Sequence, residues 1–415
     1  MDEIVKKILY CRSCRSKNLE RVITIGPHPN ANSYIATAQL EKEEIYFPLD
    51  VYLCNGCSLL QLGHTINPKI LFGDYVYVSS TSQLFVNHFK EYANSVFTDF
   101  LLTKKSLVVD IGSNDGVLLK SFKDLGCDVL GVDPVSAIAE VAKANGVNTI
   151  IDFFSVDLAK KILKKHGKAK IITANNTFAQ ISDLDELVKG VSCLLADDGV
   201  FIIEVPYLPV MLKKMYFDLI YHEHHSLPAI KPLTYLFNRF HMRIIDVRDQ
   251  AVHGGTVRIY VSHSKSSYKV SNNVRKHMML EKSIQINKKK TYESFFLKVQ
   301  KNRVTLLKLL LKLKLEGKRI AAYGAPAKGN TLLNFYNIGT ETIDFIIDDS
   351  VWKQNRFTPG KRIPIISSEE SVNRRVDYLL ILAWNFADEI MKKNNKFKKS
   401  GGKFIIPFPT PRVIS

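Results

Sequence analysis

Two stretches of this chain are typical of a buried strand followed by a glycine turn and a helix, the unit from which parallel α/β sheets are built. The first, SLVVDIGSNDGVLLKSF, begins at Ser106 and contains a turn with Gly112 and Gly116. The second, KRIAAYGAPAKGNTLLNFY, begins at Lys318. Strand-like and helix-like runs alternate after each stretch, as in a doubly wound sheet. The sequence therefore predicts an α/β protein with two Rossmann-like sheets.

The chain has 415 residues, which is longer than one hydrophobic core usually serves. Changes of pattern divide it into three parts. We expect a small cysteine-bearing module in residues 1–70, the first sheet in residues 71–262, and a helical connector with the second sheet in residues 263–415. The connector is rich in lysine, and its leucines recur at helical spacing.

Four of the six cysteines form two CxxC pairs with 39 residues between them: Cys11, Cys14, Cys54 and Cys57. Two thiolate pairs can complete a tetrahedron around Zn²⁺ and close it to water, which is the arrangement of a structural site. The alternative is a set of reduced cysteines in a small core. Paired CxxC units fit an intracellular compartment, because thiols stay reduced there. We therefore expect a zinc module in a cytoplasmic protein.

The formal net charge is +18, which raises the question of a nucleic-acid partner. The lysines are spread out, however, and are typical of a solvated helix face; the aromatic and basic signatures of nucleic-acid recognition are absent. We also find no run of 18 apolar residues and no secretory signal, so no membrane partner is predicted. A basic surface would attract an anionic small substrate such as a sugar diphosphate.

The first glycine turn indicates which nucleotide it holds. A dinucleotide fingerprint needs glycine at positions 112, 114 and 117, and Asn114 breaks it. Asp110, two residues before Gly112, favours the cationic amino group of S-adenosylmethionine (SAM) and would repel a pyrophosphate. Asp133, at the end of the next strand, can accept hydrogen bonds from ribose hydroxyls. The pattern favours SAM over NAD, or over a sheet that binds nothing, with Gly112 and Gly116 allowing close backbone approach.

The second glycine turn, GAPAKGNT, nearly matches a phosphate loop, but Asn330 stands where that motif needs lysine. NTP hydrolysis is therefore not expected. The turn still opens a helix whose N-terminal amides favour an anion, and Lys328 adds positive charge. A diphosphate that is not hydrolysed is the predicted occupant. A tight turn with an exposed lysine is the alternative.

The run FDLIYHEHHS, residues 217–226, places His222, Glu223, His224 and His225 side by side. A helical zinc site would need histidines four apart, which this run lacks. In an extended segment His222 and His224 would share a face, with Glu223 opposite. A metal site and a purely structural cluster are alternatives, but the run favours proton chemistry, since histidine titrates near neutral pH.

Taken in order, the paired CxxC units, DIGSNDG, YHEH, HGGTVR and YGAPAKGNT resemble the SAM-dependent sugar C-methyltransferases of deoxysugar biosynthesis over nearly the whole chain. The resemblance implies an N-terminal zinc module, a central Rossmann-like SAM-methyltransferase sheet and a C-terminal Rossmann-like domain that holds a nucleotide-linked sugar. It implies methylation at C3 of a 4-keto sugar, with the nucleotide-diphosphate sugar as substrate. The resemblance does not define the oligomeric state.

The resemblance also implies roles for particular residues. His224 is the expected base, Glu223 would orient it or contact a sugar hydroxyl, and Tyr221 or Tyr75, with an amide such as that of Asn176, would stabilise the enolate. The remaining cofactor candidates are Asn114 and Asn175. The remaining substrate candidates are Tyr77, Ser80, Asn176, His253, Gly254, Arg258, Lys328, Arg356 and Lys361.

This sequence departs from the family pattern at two positions. Gln180 stands where members commonly have a histidine, and His225 stands where we would expect an apolar residue. The first departure leaves open a second acid–base group or a different substrate. Three alternatives remain: an O- or N-methyltransferase acting on a sugar or related metabolite, a non-catalytic zinc protein that binds SAM or a nucleotide, and a nucleic-acid methyltransferase favoured by charge alone.

Overall fold

A computed structural model describes residues 4–72, 78–81, 83–250 and 254–415 of the chain. Its N-terminal part consists of short strands and one short helix. These are β1 (Val5–Lys7), β2 (Leu19–Thr24), β3 (His28–Pro29), β4 (Ile35–Ala36), β5 (Tyr46–Phe47), β6 (Asp50–Cys54), β7 (Leu60–Leu62), β8 (His64–Ile66) and α1 (Pro68–Phe72). Strands β2, β6 and β7 are antiparallel neighbours, while β1 pairs with β8 and β3 with β5.

The middle part alternates strands and helices as the sequence predicts. Its elements are α2 (Gln83–Asp99), β9 (Leu107–Ile111), α3 (Val117–Asp124), β10 (Asp128–Val132), α4 (Ser136–Ala144), β11 (Thr149–Ile150), α5 (Val156–His166), β12 (Ala169–Asn175), α6 (Leu184–Leu194), β13 (Leu195–Pro206), α7 (Leu208–Lys214), β14 (Ser226–Leu227), α8 (Ile230–Asn238), β15 (Met242–Gln250) and β16 (Thr256–His263). Seven strands form a sheet of order β11-β10-β9-β12-β13-β16-β15, parallel except at β16 and β15. Helices cover both faces, which explains why β9 is buried along its whole length.

The C-terminal part begins with two helices and continues as a second parallel sheet. Its elements are α9 (Asn272–Ser283), α10 (Lys289–Leu315), β17 (Ile320–Tyr323), α11 (Ala327–Tyr336), β18 (Ile346–Ile347), β19 (Arg356–Phe357), β20 (Ile365–Ile366), α12 (Ser368–Ser371), β21 (Tyr378–Ile381), α13 (Ala387–Lys393), α14 (Asn395–Lys399), β22 (Lys403–Ile406) and β23 (Arg412–Ile414). The sheet has the order β20-β18-β17-β21-β22-β23, with β23 antiparallel. No helix in the described ranges is long and apolar enough to cross a membrane.

The N-terminal and C-terminal parts share one hydrophobic core. Leu53 and Leu60 from the N-terminal sheet belong to the same buried cluster as Leu306 and Leu310 of α10. In addition, β4 pairs with β19, and β14 of the middle part extends the N-terminal sheet beside β7. The N-terminal strands therefore connect to both Rossmann-like parts.

The strand order of each sheet reverses at one point: beside β9 in the first sheet and beside β17 in the second. Ligands of doubly wound proteins bind outside the carboxyl ends of the strands at such a point. Here the turns after β9 and β12 and the turns after β17 and β21 line one common cavity. The switch points of the two sheets therefore open onto the same cavity.

Candidate active site

The common cavity has a volume of about 540 Å³. Its walls include ten of the residues that the sequence proposed: Asp110, Gly112, Asn114, Asp133, Asn175, Asn176, Tyr221, Glu223, His224 and Lys328. Gly116, Ser80, Gly254, Arg258 and Arg356 lie outside its walls. Tyr75, Tyr77 and His253 lie outside the described residues.

The glycine turn after β9 needs its glycine for two reasons. Gly112 has a φ of +72°, and a Cβ atom there would come within 2.1 Å of Oγ1 of Thr177. Next to it, the backbone N–H of Asn114 donates a hydrogen bond of 2.9 Å to Oδ2 of Asp133. The turn therefore brings open backbone close to the carboxylate at the end of β10.

Asp110 and Asp133 are both buried and both line the cavity. Thr173 donates a hydrogen bond of 2.6 Å to Oδ1 of Asp110, but burial still raises the pKa of Asp110 to about 7. Burial also raises the pKa of Asp133, although the backbone N–H groups of Asn114 and Val135 donate to its two oxygens. A cationic ligand would favour ionisation of Asp110, and each oxygen of Asp133 keeps a lone pair for a hydroxyl.

The same end of the cavity contains groups that are not satisfied by the protein. Both polar side-chain atoms of Asn175 are buried without a hydrogen-bond partner among the described residues. Phe153 and Phe154, which follow β11, line the cavity and offer an apolar wall. The sequence analysis did not select these two aromatic residues, although their position just after a strand of the sheet was a usable signal. Together these groups fit a cofactor with a cationic amino group, a ribose and an aromatic base.

The histidine run is a turn and not an extended segment, because the N–H of His224 donates to the backbone O of Tyr221 at 2.9 Å. The run is therefore not the extended segment in which His222 and His224 would share a face. Nε2 of His222 faces the backbone O of Phe47 at 3.2 Å, away from the cavity. Glu223 and His224 instead line the cavity together.

His224 has a defined tautomer. Its Nδ1 lies 2.8 Å from the backbone O of Leu219, an acceptor, so Nδ1 carries the proton. Nε2 is then unprotonated and accepts a hydrogen bond of 2.8 Å from the Tyr221 hydroxyl. Burial lowers the pKa of His224 to about 4, which keeps the imidazole neutral. The carbonyl of Leu219, and not Glu223, orients this ring.

Among the described residues, Glu223 is contacted through one of its two carboxylate oxygens. Asn32, from the loop between β3 and β4, donates a hydrogen bond of 2.6 Å to Oε1. Oε2 is buried without a partner among the described residues. Burial raises the pKa of Glu223 to about 7. Asn32 lines the cavity as well, and nothing in its local sequence distinguished it from an ordinary turn residue.

Lys328 is a buried cation at the cavity wall. Its Nζ lies 4.0 Å from the ring centroid of Trp384 and donates to Oδ1 of Asn385. Asp218 accepts a hydrogen bond of 2.6 Å from Nε1 of Trp384. Burial lowers the pKa of Lys328 to about 8, and the charge of Asp218 opposes that shift. Lys353, which the sequence analysis did not select, also lines the cavity and donates to a backbone carbonyl at 2.9 Å.

Two sequence candidates, Arg258 and Gly254, support the cavity from outside its walls. Arg258 is buried, forms an ion pair of 2.8 Å with Glu204 and lies over the ring of Tyr92. Gly254 packs so tightly that a Cβ atom there would come within 2.5 Å of Trp384.

The other candidates are placed by backbone contacts. The N–H of Ser80 donates to Oδ2 of Asp115 at 2.9 Å, and Arg356 pairs with Ala36 across β19 and β4. The backbone N–H of Asn176 donates to the carbonyl of Glu204 at 2.7 Å, so this N–H is engaged within the protein.

The two positions that depart from the family pattern both lie at the cavity. Gln180 and His225 line its wall, and Nδ1 of His225 is buried without a partner in the described ranges. Burial lowers the pKa of His225 well below its usual value, so this ring is neutral.

The four cysteines of the CxxC pairs form one cluster. Their sulfur atoms all lie within 4.8 Å of one another, with Cys11 and Cys57 at 3.5 Å and Cys14 and Cys54 at 3.5 Å. Four thiolates around Zn²⁺, with Zn–S bonds of about 2.3 Å, lie roughly 3.8 Å apart. The cluster therefore fits a structural zinc ion.

Comparisons with known proteins agree with these features. Residues 11–72 match the family model of a zinc binding domain, residues 86–247 that of a methyltransferase domain and residues 251–409 that of a C-methyltransferase C-terminal domain. The chain is 38% identical over 415 residues to the C-methyltransferase NovU of Streptomyces niveus, covering 100% of this chain and 99% of that protein.

Two solved structures are similar over part of the chain. A SAM-dependent methyltransferase from Clostridium acetobutylicum has 15% identity and a TM-score of 0.34, with coverage of 43% of this chain and 92% of that chain. Magnesium protoporphyrin IX methyltransferase from Synechocystis with bound SAM has 14% identity and a TM-score of 0.32, with coverage of 43% and 81%. The full-length identity to NovU decides the family: this chain is a member of the SAM-dependent C-methyltransferases, with SAM as its methyl donor and a structural zinc in its N-terminal part.

Proposed function

We propose that the enzyme methylates C3 of a nucleotide-linked 4-keto sugar after removing the C3 proton to form an enolate. The observation that carries the proposal is the unprotonated Nε2 of His224. It faces the Tyr221 hydroxyl in the cavity that the glycine turn after β9 also lines. SAM supplies an electrophilic methyl group when bound. A carbon becomes a nucleophile for that group only once its proton is removed, which a carbonyl on the next carbon makes feasible.

His224 serves as the base in this proposal. Its Nδ1 proton is held by Leu219, so only Nε2 can accept a proton. Burial keeps the imidazole neutral and ready for that transfer. In the absence of substrate the Tyr221 hydroxyl donates a hydrogen bond to Nε2. When the C3–H bond of the substrate approaches Nε2, this hydroxyl would be released. The freed hydroxyl can then donate to the oxygen on C4 as negative charge develops there.

The substrate class rests on charge and on one unsatisfied carboxylate. The N-terminus of α11 meets the cavity at Pro326 and Ala327, with the cations of Lys328 and Lys353 beside it. A helix N-terminus with adjacent cations favours a diphosphate. Oε2 of Glu223 can accept a hydrogen bond from a sugar hydroxyl.

The proposal is tested by incubating the enzyme with labelled SAM and a panel of nucleotide-linked 4-keto sugars, followed by NMR of the product. We expect the methyl group on C3, and wash-in of solvent deuterium at C3 when SAM is left out. His224→Asn should abolish the wash-in. A methyl group on oxygen or nitrogen would establish the O- or N-methyltransferase alternative, and normal exchange in His224→Asn would remove His224 from the role of base.

A further inference from the structure

A loop of the N-terminal part reaches into the cavity between the two Rossmann-like parts. We call residues 28–36, which include β3 and β4, the N-terminal arm. The arm is attached to the C-terminal part on both sides of Asn32: Asn330 donates to the carbonyl of Ala31 at 2.7 Å, and the hydroxyl of Tyr34 donates to the carbonyl of Ala325. Pairing of β4 with β19 extends this attachment. The arm thus carries Asn32 to the cavity on a fixed backbone.

Asn32 contacts the carboxylate of Glu223 there. Its Nδ2 lies 2.6 Å from Oε1 of Glu223, whose side chain is buried. Oε2 of the same carboxyl group has no partner among the described residues. An unpaired carboxylate oxygen in a buried site is costly unless a ligand satisfies it. Glu223 therefore has one oxygen engaged by the protein and one available.

We propose that Asn32 is a positioning residue, which holds Oε1 of Glu223 so that Oε2 meets a hydroxyl group of the substrate. This inference rests on the proposed function for the identity of that substrate as a sugar. Since the amide N–H of Asn32 needs an acceptor, Oε1 must stay unprotonated. Any proton that Glu223 binds is then placed on Oε2. Asn32 thereby decides which oxygen recognises the sugar, and the N-terminal part contributes to the active site as well as holding zinc.

Titration of Glu223 gives a test that needs no substrate. Burial raises the pKa of Glu223 to about 7, and the Asn32 hydrogen bond lowers it. Other charged or titratable groups near Glu223 in the described residues are Lys328, Lys353, Tyr34, Tyr221, His224 and His225. These groups stay in place in Asn32→Ala, so the carboxyl group should then titrate at higher pH than in wild type.

The titration would be followed by ¹³C NMR of protein labelled at the glutamate δ-carbons, with Glu223→Gln to assign the signal. Asn32→Asp should raise the midpoint further than Asn32→Ala, because it places a second carboxyl group at the same contact. Asn32→Asp also preserves the size of the side chain, so it provides the test if Asn32→Ala folds poorly. The matched control is Asn94→Ala, which removes an exposed asparagine side chain of α2 outside the cavity walls. An unchanged midpoint in both Asn32 variants, or an equal shift in Asn94→Ala, would overturn the proposal.

Kinetics test the consequence for the substrate. Loss of a hydrogen bond to a charged group lowers an equilibrium or rate constant by about 10- to 100-fold. We therefore expect kcat/KM for the sugar to fall by about that factor in Asn32→Ala. KM for SAM should stay at the wild-type value, because Asn32 contacts Glu223 and not the cofactor turn. Wild-type kcat/KM for the sugar in the variant would overturn the inference. If wild-type enzyme accepts no 4-keto sugar at all, the proposed function fails, and the titration still decides the role of Asn32.

Discussion

The backbone N–H of Leu62 donates a hydrogen bond to the backbone carbonyl of His225 across 3.0 Å. Leu62 ends β7, the strand that starts three residues after Cys57. Strand β7 pairs with β14, which directly follows the turn that contains His224. The buried guanidinium of Arg12, next to Cys11 in the chain, donates to the carbonyl of Leu62 at 2.6 Å. The zinc cluster is therefore two contacts away from the turn that holds His224.

Removal of zinc should disorder this connection. In Cys57→Ser we expect loss of the bound zinc, loss of methyl transfer, and a melting temperature lower by at least about 5 °C, since each kcal/mol shifts a domain of this size by about 2–4 °C. Metal analysis, a methyl-transfer assay and thermal unfolding measure the three effects. Cys193→Ser is the matched control, because Cys193 lies outside the cluster. Full zinc content and unaltered melting in Cys57→Ser would contradict the assignment.

Tyr221→Phe should distinguish the proposed role of Tyr221, donation to the C4 oxygen, from the proposed role of His224 as the base. The variant keeps His224 and its contact with Leu219 but loses the hydroxyl that faces Nε2. Loss of an oxyanion donor costs about 10²–10³-fold, so we expect both methyl transfer and deuterium exchange at C3 to slow by about that factor, whereas His224→Asn abolishes the exchange. Rapid-quench assays and NMR exchange measure the two rates. Tyr323→Phe, on β17 and outside the cavity walls, controls for loss of a tyrosine hydroxyl; equal effects of the two variants would refute the role of Tyr221.

Much of the fold could be predicted because it depends on local patterns. The apolar strands and glycine turns at Gly112 and Gly324 indicated both sheets, and the CxxC spacing indicated the cysteine cluster. The part of the site next to the first glycine turn could be predicted from the sequence equally well. Asp110 and Asp133 end neighbouring parallel strands, and such ends meet at one edge of the sheet.

The rest of the site depends on contacts between distant segments. Asn32 lies in an ordinary polar loop, and only the docking of the arm brings it to Glu223, 191 residues later. Arg258 was expected at the substrate, but it neutralises the buried carboxylate of Glu204 on the neighbouring strand. The turn at His224 is stabilised by hydrogen bonds to the backbone carbonyls of Tyr221 and Leu219. No local pattern encodes these contacts.

Lys328→Met should weaken binding of the nucleotide sugar. The variant keeps the apolar contact with Trp384 and removes the cation at the start of α11. Hydrogen bonds to charged groups are worth about 1.5–3 kcal/mol, so KM for the sugar should rise about 10- to 100-fold. KM for SAM should not change. Lys312→Met, on the exposed side of α10, is the matched control in the same steady-state assay. Unaltered KM for the sugar in Lys328→Met would exclude Lys328 from diphosphate binding.

Binding of SAM should depend on pH through Asp110. Burial raises the pKa of this carboxyl group to about 7 in the free enzyme, and a cationic ligand binds the ionised form better. As the pH falls below about 7, Asp110 must lose a proton to bind SAM, so affinity should decrease by up to about tenfold per pH unit. Calorimetry in buffers of different ionisation enthalpy should show proton release at pH 6. Asp110→Asn should bind SAM more weakly and without this proton release, whereas the exposed-site control Asp124→Asn should behave as wild type. Proton release that persists in Asp110→Asn would assign the titration to another group.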